Sequence, residues 1–190
     1  MKAKDRRARG GMMINQVLEA IRHRRSIIRF EKTPIEEEKI EAILEAGRWA
    51  PSCLNRQPWR FIVVTDPTIK ETLAEFAPTL YKAGFQEAPA CIVVAVDPNE
   101  EPFHFIEDGA IATQNMALAA YSLGLGSCWV GVFRLEGERG SSEEKIKKVL
   151  EIPKGHRVIS LLPIGIPKLW DEKKSRKGLG QLVYRNKFTD

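Results

Sequence analysis

Long apolar runs are missing from this sequence, and no stretch approaches the ~20 residues that a membrane-spanning helix needs. The basic start, Met1 to Arg9, also lacks the apolar run and small-residue cleavage site of a secretory leader, so a cytoplasmic location is expected. Cysteine is scarce. Cys53, Cys91 and Cys128 are odd in number and show neither a C-x-x-C pair nor metal spacing with the three histidines, which argues against a disulfide framework and a bound metal. Internal repeats, low-complexity segments and Gly/Ser linkers are absent too, so nothing divides the chain from Ile14 onward.

Familiar cofactor and catalytic signatures are equally wanting. No G-x-G-x-x-G opens a helix after a strand, and neither a Walker loop nor H-E-x-x-H occurs. Gly124-Leu125-Gly126 is too short a glycine pattern to count as a phosphate loop, since a helix-capping turn explains it as well. His23, His104 and His156 stand apart, each reading as a surface or satisfied histidine rather than a catalytic base. The basic stretch Lys2 to Arg9 has no interleaved aromatics and no recognition motif after it, which argues against a nucleic-acid partner.

What is present fits one globular unit: 190 residues with 43% apolar content can bury a core without staples. The net charge of +5 is concentrated in Met1 to Arg9 and in Glu172 to Lys177. Residues 1–13 are therefore expected to be a flexible basic tail, with 14–190 as a single domain. Ile14, Val17, Leu18 and Ile21 recur at helical spacing and predict an amphipathic helix running into the basic knot Arg22 to Arg25. Thr33 as a cap, Pro34 at the first helical position and Glu36 closing a capping box predict a second helix, continuing through Ile40, Ile43 and Leu44 to near Gly47.

Phe61 to Thr65 reads as a buried strand, and Asp66-Pro67 starts a helix with Ile69, Leu73 and Phe76 inward. Ala90 to Val96 is a second buried strand. Phe105 to Leu123, small or apolar on nearly every side, predicts a helix buried all round. A third strand is expected over Ser127 to Phe133, a helix capped by Ser141 carrying Ile146, Val149 and Leu150, a fourth strand over Arg157 to Gly165, and a final extended piece over Gln181 to Phe188. This order, without one long βαβ series, favours an α+β sandwich over a doubly wound sheet.

Two segments carry chemistry. In Arg24-Arg25-Ser26-Ile27-Ile28-Arg29-Phe30 two arginines beside a serine offer charge-assisted donors to a phosphate, although taken alone a solvated helix terminus explains them more simply. In Ala50-Pro51-Ser52-Cys53-Leu54-Asn55-Arg56-Gln57-Pro58-Trp59 the prolines fix the path, while Ser52, Asn55 and Gln57 present donors and acceptors suited to a planar heterocycle with amide edges.

Together these segments resemble the nitroreductase family of FMN enzymes, whose members share R-R-S-I-R-x-F followed by A-P-S-x-x-N-x-Q-P-W and a strand. Supporting likeness lies in Asp108 to Leu123, Gly124 to Gly131, Leu161 to Pro167 and Lys174-Ser175-Arg176, so that the match covers nearly all of Val17 to Phe188. The resemblance implies a central, mainly antiparallel sheet flanked by helices, with the C-terminal segment exchanged in a homodimer. It implies that Arg24, Arg25 and Ser26, with Ile28 beside them, hold FMN, and that Lys174 and Arg176 return to its phosphate. Pro51, Ser52, Cys53, Asn55 and Gln57 would reach the flavin of the partner subunit, and Trp129, Val130 and Gly131 would approach the ring.

The implied reaction passes hydride from NADH or NADPH to flavin N5 and on to a nitroaromatic, quinone or similar small acceptor in ping-pong order, with no side chain named as catalytic acid or base. One departure stands out: Ile28 occupies the position that is usually a cation near the pyrimidine edge, and Arg29 comes one residue late. Dehalogenation, azoline oxidation or flavin fragmentation on the same fold, or flavin binding without nucleotide turnover, are the competing readings.

Overall fold

Ala90 to Val96 carries no polar side chain, and such a run is stable only as a strand covered on both faces. The structure, a computed structural model, describes residues 6–7, 13–132, 142–170 and 175–188. Along the chain run β1 (Arg6–Arg7), β2 (Met13–Ile14), α1 (Gln16–His23), α2 (Glu37–Arg48), β3 (Trp59–Val64), α3 (Pro67–Phe76), α4 (Thr79–Glu87), β4 (Ala90–Val96), α5 (Phe105–Ser122), β5 (Gly126–Ser127), β6 (Val130–Gly131), α6 (Ser142–Val149) and β7 (Arg157–Gly165). The main sheet has the order β3-β4-β7-β5, with β6 also on β7, and every named pairing in it is antiparallel. β1 and β2 pair separately as a short ribbon.

The strict alternation of β4 splits the core into two layers. Ile92, Val94 and Val96 face Ile40 and Ile43 of α2 and Ala112 and Met116 of α5. Cys91 and Val93 face Leu73 of α3, Phe85 of α4 and Ile146 of α6. Each fully buried Ile or Val contributes about 1.5–3 kcal/mol. A β-bulge interrupts the β4–β7 register between Val94 and Ala95, which pair with Ser160 and Val158 and so leave Ile159 as the extra residue. The fold is thus the α+β sandwich expected.

Local signals succeed where the cap is a side chain. Asp66 accepts from the N–H groups of Thr68 and Ile69 with Pro67 at the first turn, and Asn15 accepts from Leu18 N–H at 2.9 Å. The Thr33 start fails: α2 begins at Glu37, its cap is Glu36, and no side chain bonds the open N–H groups. Residues 31–36 leave the sheet edge first, where Glu31 N–H bonds Ile166 O, and that pairing outcompetes an earlier helical turn.

The third strand is shorter than expected and broken into β5 and β6: Cys128 N–H bonds Pro163 O in register with both pieces, but Pro163 has no N–H to return the bond. Phe133 and Ser141 lie outside the described residues. Pro78 to Ala88 is largely α4, packed on α3. Gln181 to Phe188 joins no sheet among the described residues: Leu179–Gln181 is a 3-10 turn, and the segment runs exposed with Tyr184 stacked on Phe188.

One correction bears on function. α5 is not buried all round, since Ile111 is exposed and Asn115, Leu118 and Ala119 are only half-buried. Asn115, Leu118 and Ala119, with Val17 and Ala20 of α1 and Trp49, line an open groove of about 370 Å³. The apolar stripe of α1 is likewise uncovered, with Val17, Leu18 and Ile21 exposed and Ala20 alone buried. No helix among the described residues is long and apolar enough to cross a membrane.

Candidate functional site

α1 stops at His23, and the chain turns along the sheet. Ser26 makes a parallel bridge to Ser127, Ile27 N–H bonds Ser127 O at 2.9 Å, and Phe30 bridges Pro167. The approach at β5 is so close that a Cβ on Gly126 would stand 2.7 Å from Ile27 Cγ1 and 2.9 Å from Pro167 Cγ, so glycine is required there. This docking brings Ser26 to Ser127 and Arg24 within electrostatic reach of Cys128, next to Trp129, Val130 and Gly131 in the chain. Val130 is buried, while Trp129 and Gly131 face outward, and a Cβ on Gly131 would meet nothing nearer than Trp129 Nε1 at 3.9 Å.

The arginines are electrostatically unsettled. Arg25 Nη1 donates to the carbonyls of Arg22 and Arg24 at 2.7 and 2.9 Å, but its Nε is buried with no hydrogen-bond partner. Burial first, and then the like charges of Arg25 and Arg176, hold the Arg24 guanidinium below its ordinary value. No acidic side chain among the described residues pairs with Arg24, Arg25 or Arg176. Guanidinium stays charged in proteins, so these like charges favour an anion beside them. A phosphate fits that need. Lys174 lies outside the described residues.

Ile28 packs into the second core layer, and its carbonyl oxygen lies 3.1 Å from where a Cβ on Gly84 would stand. Arg29 does not supply the missing cation, because Glu87 holds it in a fork, Nη2 to Oε1 at 2.7 Å and Nε to Oε2 at 2.9 Å. Glu87 also accepts from Lys168 Nζ and from Phe30 N–H, and these donors lower its carboxyl to about 2. Glu87 was invisible in the sequence because its partners lie 57 to 81 residues away.

The 51–58 loop behaves differently. Leu54, Asn55 and Gln57 sit at φ of 50°, 57° and 52°, the left-handed region that side chains avoid. Ser52 Oγ accepts from Gln57 N–H at 3.0 Å, Gln57 Nε2 donates to Asn55 O at 3.1 Å, and Cys53 N–H points at the Asp108 carboxylate. Pro51, Leu54, Asn55 and Gln57 are exposed, and Ser52 and Cys53 half-buried. The Cys53 thiol is pushed up by burial and by the charge of Glu101, the direction of an inert thiol.

The two groups are not brought together. Cys53 is tied to Asp108 at the start of α5, whereas Ser26 is tied to Ser127 just past its end, and Asp108 to Leu123 spans roughly 20 Å at 1.5 Å per residue. Sequence reasoning also passed over Asp108 and Glu101. Two adjacent acids, Glu107 and Asp108, at the start of a mostly apolar helix were the visible signal for the former. Among the described residues no cluster of three or more His, Cys, Asp or Glu side chains could hold a metal.

The model of the nitroreductase family matches residues 21–78 and 75–166. The chain belongs to the nitroreductase family. A Methanothermobacter thermautotrophicus protein, named for NADH dehydrogenase and NAD(P)H nitroreductase activity, is 40% identical over 153 residues, covering 80% of this chain and 77% of its own length. The Bacillus subtilis FMN reductase [NAD(P)H] is 30% identical over 181 residues, covering 86% and 70%. Among solved structures of this family, the FMN-dependent nitroreductase of Clostridium difficile R20291 superposes with a TM-score of 0.79 at 30% identity, covering 90% of this chain and 99% of its own.

Proposed function

We propose that this nitroreductase-family chain is an NAD(P)H-dependent FMN oxidoreductase that reduces a small acceptor such as a nitroaromatic or quinone, in ping-pong order, as a cytoplasmic homodimer with FMN at the subunit interface. The observation that carries the reading is the buried, unpartnered Arg25 Nε within a group of three guanidinium side chains that lacks a counter-charge. Relatives named for FMN and NAD(P)H chemistry support it. FMN, when bound, supplies hydride transfer at N5.

In this reading Arg24, Arg25 and Arg176, with Lys174, neutralise the phosphate, and Ser26 and Ile28 line the pyrimidine end. Trp129, Val130 and Gly131 bound the ring, where the exposed Gly131 backbone admits close approach. Pro51, Ser52, Cys53, Asn55 and Gln57 serve the site of the second copy. The separation along α5 supports that division, as do the uncovered groove against α1 and α5 and the exposed apolar Leu179, Leu182, Val183 and Phe188, which suit exchange of the C-terminal segment. No side chain is assigned as acid or base, so protons come from solvent.

The purified protein should show flavin absorbance that NADH or NADPH bleaches anaerobically, and it should sediment as a dimer. Failure to bind supplied FMN overturns the reading. Ile28, with Arg29 sequestered by Glu87, favours one second reading, a flavin-binding protein without nucleotide turnover. Bound flavin that neither nucleotide bleaches would select it.

A further inference from the structure

Two buried acids grip the 51–58 loop from beneath. Glu101 is fully buried between β4 and α5, and Asp108 is 3% exposed in the first turn of α5. Glu101 Oε1 accepts from the backbone N–H groups of Phe103 and His104 at 2.9 and 3.1 Å, which leaves Oε2 for the Arg56 guanidinium at 3.2 Å. Both oxygens of Asp108 stand 3.3 Å from Cys53 N.

These tie points bracket the left-handed Leu54 and Asn55, with left-handed Gln57 next along the chain. Strained residues in series persist only where their surroundings over-determine them. An acid in the first turn of a helix ordinarily serves its own open N–H groups, whereas the hydrogen bond to Asp108 comes from a residue 55 positions earlier. No ion pair neutralises Asp108 among the described residues, and burial pushes its carboxyl up, so stability alone would favour an apolar residue there.

We propose that Asp108 and Glu101 are positioning residues for the cofactor site of the partner subunit: by gripping Cys53 N–H and Arg56 of their own chain, they fix the loop in the strained shape that presents Ser52, Asn55 and Gln57 across the interface. The proposal rests on the interface reading above. Neither acid touches cofactor or acceptor. Each acts through the loop.

The test uses the FMN-loaded dimer with NADH as reductant and 1,4-benzoquinone as acceptor, comparing Asp108→Ala, Asp108→Asn and Arg56→Ala. Arg56 is largely on the surface, so its variant probes the Glu101 grip without opening the core. Asp108→Ala and Arg56→Ala should retain FMN through the arginines, shift the visible flavin band and raise the benzoquinone KM about tenfold with a smaller change in kcat. Asp108→Asn, whose amide oxygen still accepts Cys53 N–H, should restore both band and KM. An unchanged band and KM in Asp108→Ala and Arg56→Ala, or an asparagine variant as defective as the alanine one, overturns the proposal.

Mixed dimers separate this failure from failure of the interface reading. One chain carries Asp108→Ala and the other carries Arg24→Ala with Arg25→Ala. If the loop acts across the interface, each mixed dimer has one intact site, binding one FMN with the normal band and KM. If every FMN bound shows the shifted band, the loop serves its own chain and the interface reading falls.

Discussion

The basic segment at Arg24 to Ser26 and the loop at Pro51 to Gln57 are unsatisfied in opposite ways. The arginines rest in ordinary backbone but face one another without a counter-charge, one buried Nε unbonded. The loop has its polar groups paired internally and onto buried acids, yet three of its side-chain-bearing residues sit at positive φ. Charge without a counter-ion favours an anionic ligand, which is the role the proposed function gives the first region. Strained backbone held by internal hydrogen bonds and by buried acids is set in shape by the chain itself, which suits the preformed wall that the proposed function makes of the second region.

Removing the charges should have the largest effect. Arg24→Ala with Arg25→Ala should weaken FMN binding by about 100-fold or more, from the loss of two or more charge-assisted bonds, as measured by FMN fluorescence titration. The thermal midpoint of the FMN-free chain should stay level or rise, because repulsion is removed with the arginines. A large fall in that midpoint would make the cluster structural and erase the contrast.

Glu87 sharpens the comparison within one segment, since Arg29 is satisfied where Arg24 and Arg25 are not. Glu87→Gln should cost about 2 kcal/mol in denaturant unfolding, by weakening the fork to Arg29 and the bond from Lys168. The folded carboxyl, at about 2, lies below its ordinary 4.5. Its contribution is therefore complete above about pH 4.5 and lost as pH falls toward 2, and the variant should show a shallower acid limb. The smallest effect belongs to the loop: Leu54→Gly should stabilise the FMN-free chain by about 0.5 kcal/mol, as left-handed strain is relieved against the greater entropy of an unfolded glycine. A destabilisation there would mean that Leu54 is not strained.

Much of this was legible in the residues. The uninterrupted apolar run Ala90 to Val96 could only be a central strand, and its bounds and those of Arg157–Gly165 came out as read. Asp66-Pro67 gave its helix start because both signals are local. Thr33-Pro34 misled for the complementary reason: a cap motif states a preference, and Glu31 bonding to Ile166 imposed a longer edge before α2 could begin. The mostly small and apolar α5 was misjudged as wholly covered, yet the pattern was truthful about what the helix asks for, since part of its uncovered side faces the groove with α1.

By itself the sequence determined the layering and the α+β class and singled out the two candidate segments, because each depends on short-range periodicity or on a contiguous motif. The tertiary structure alone decided the rest. It set the two candidate segments at opposite ends of α5, bound Arg29 to an acid 58 residues away, and turned Asp108 and Glu101 toward the loop. Those outcomes depend on distance and burial between residues remote in the chain, and a carboxylate shows its partner only once folding has chosen what stands beside it.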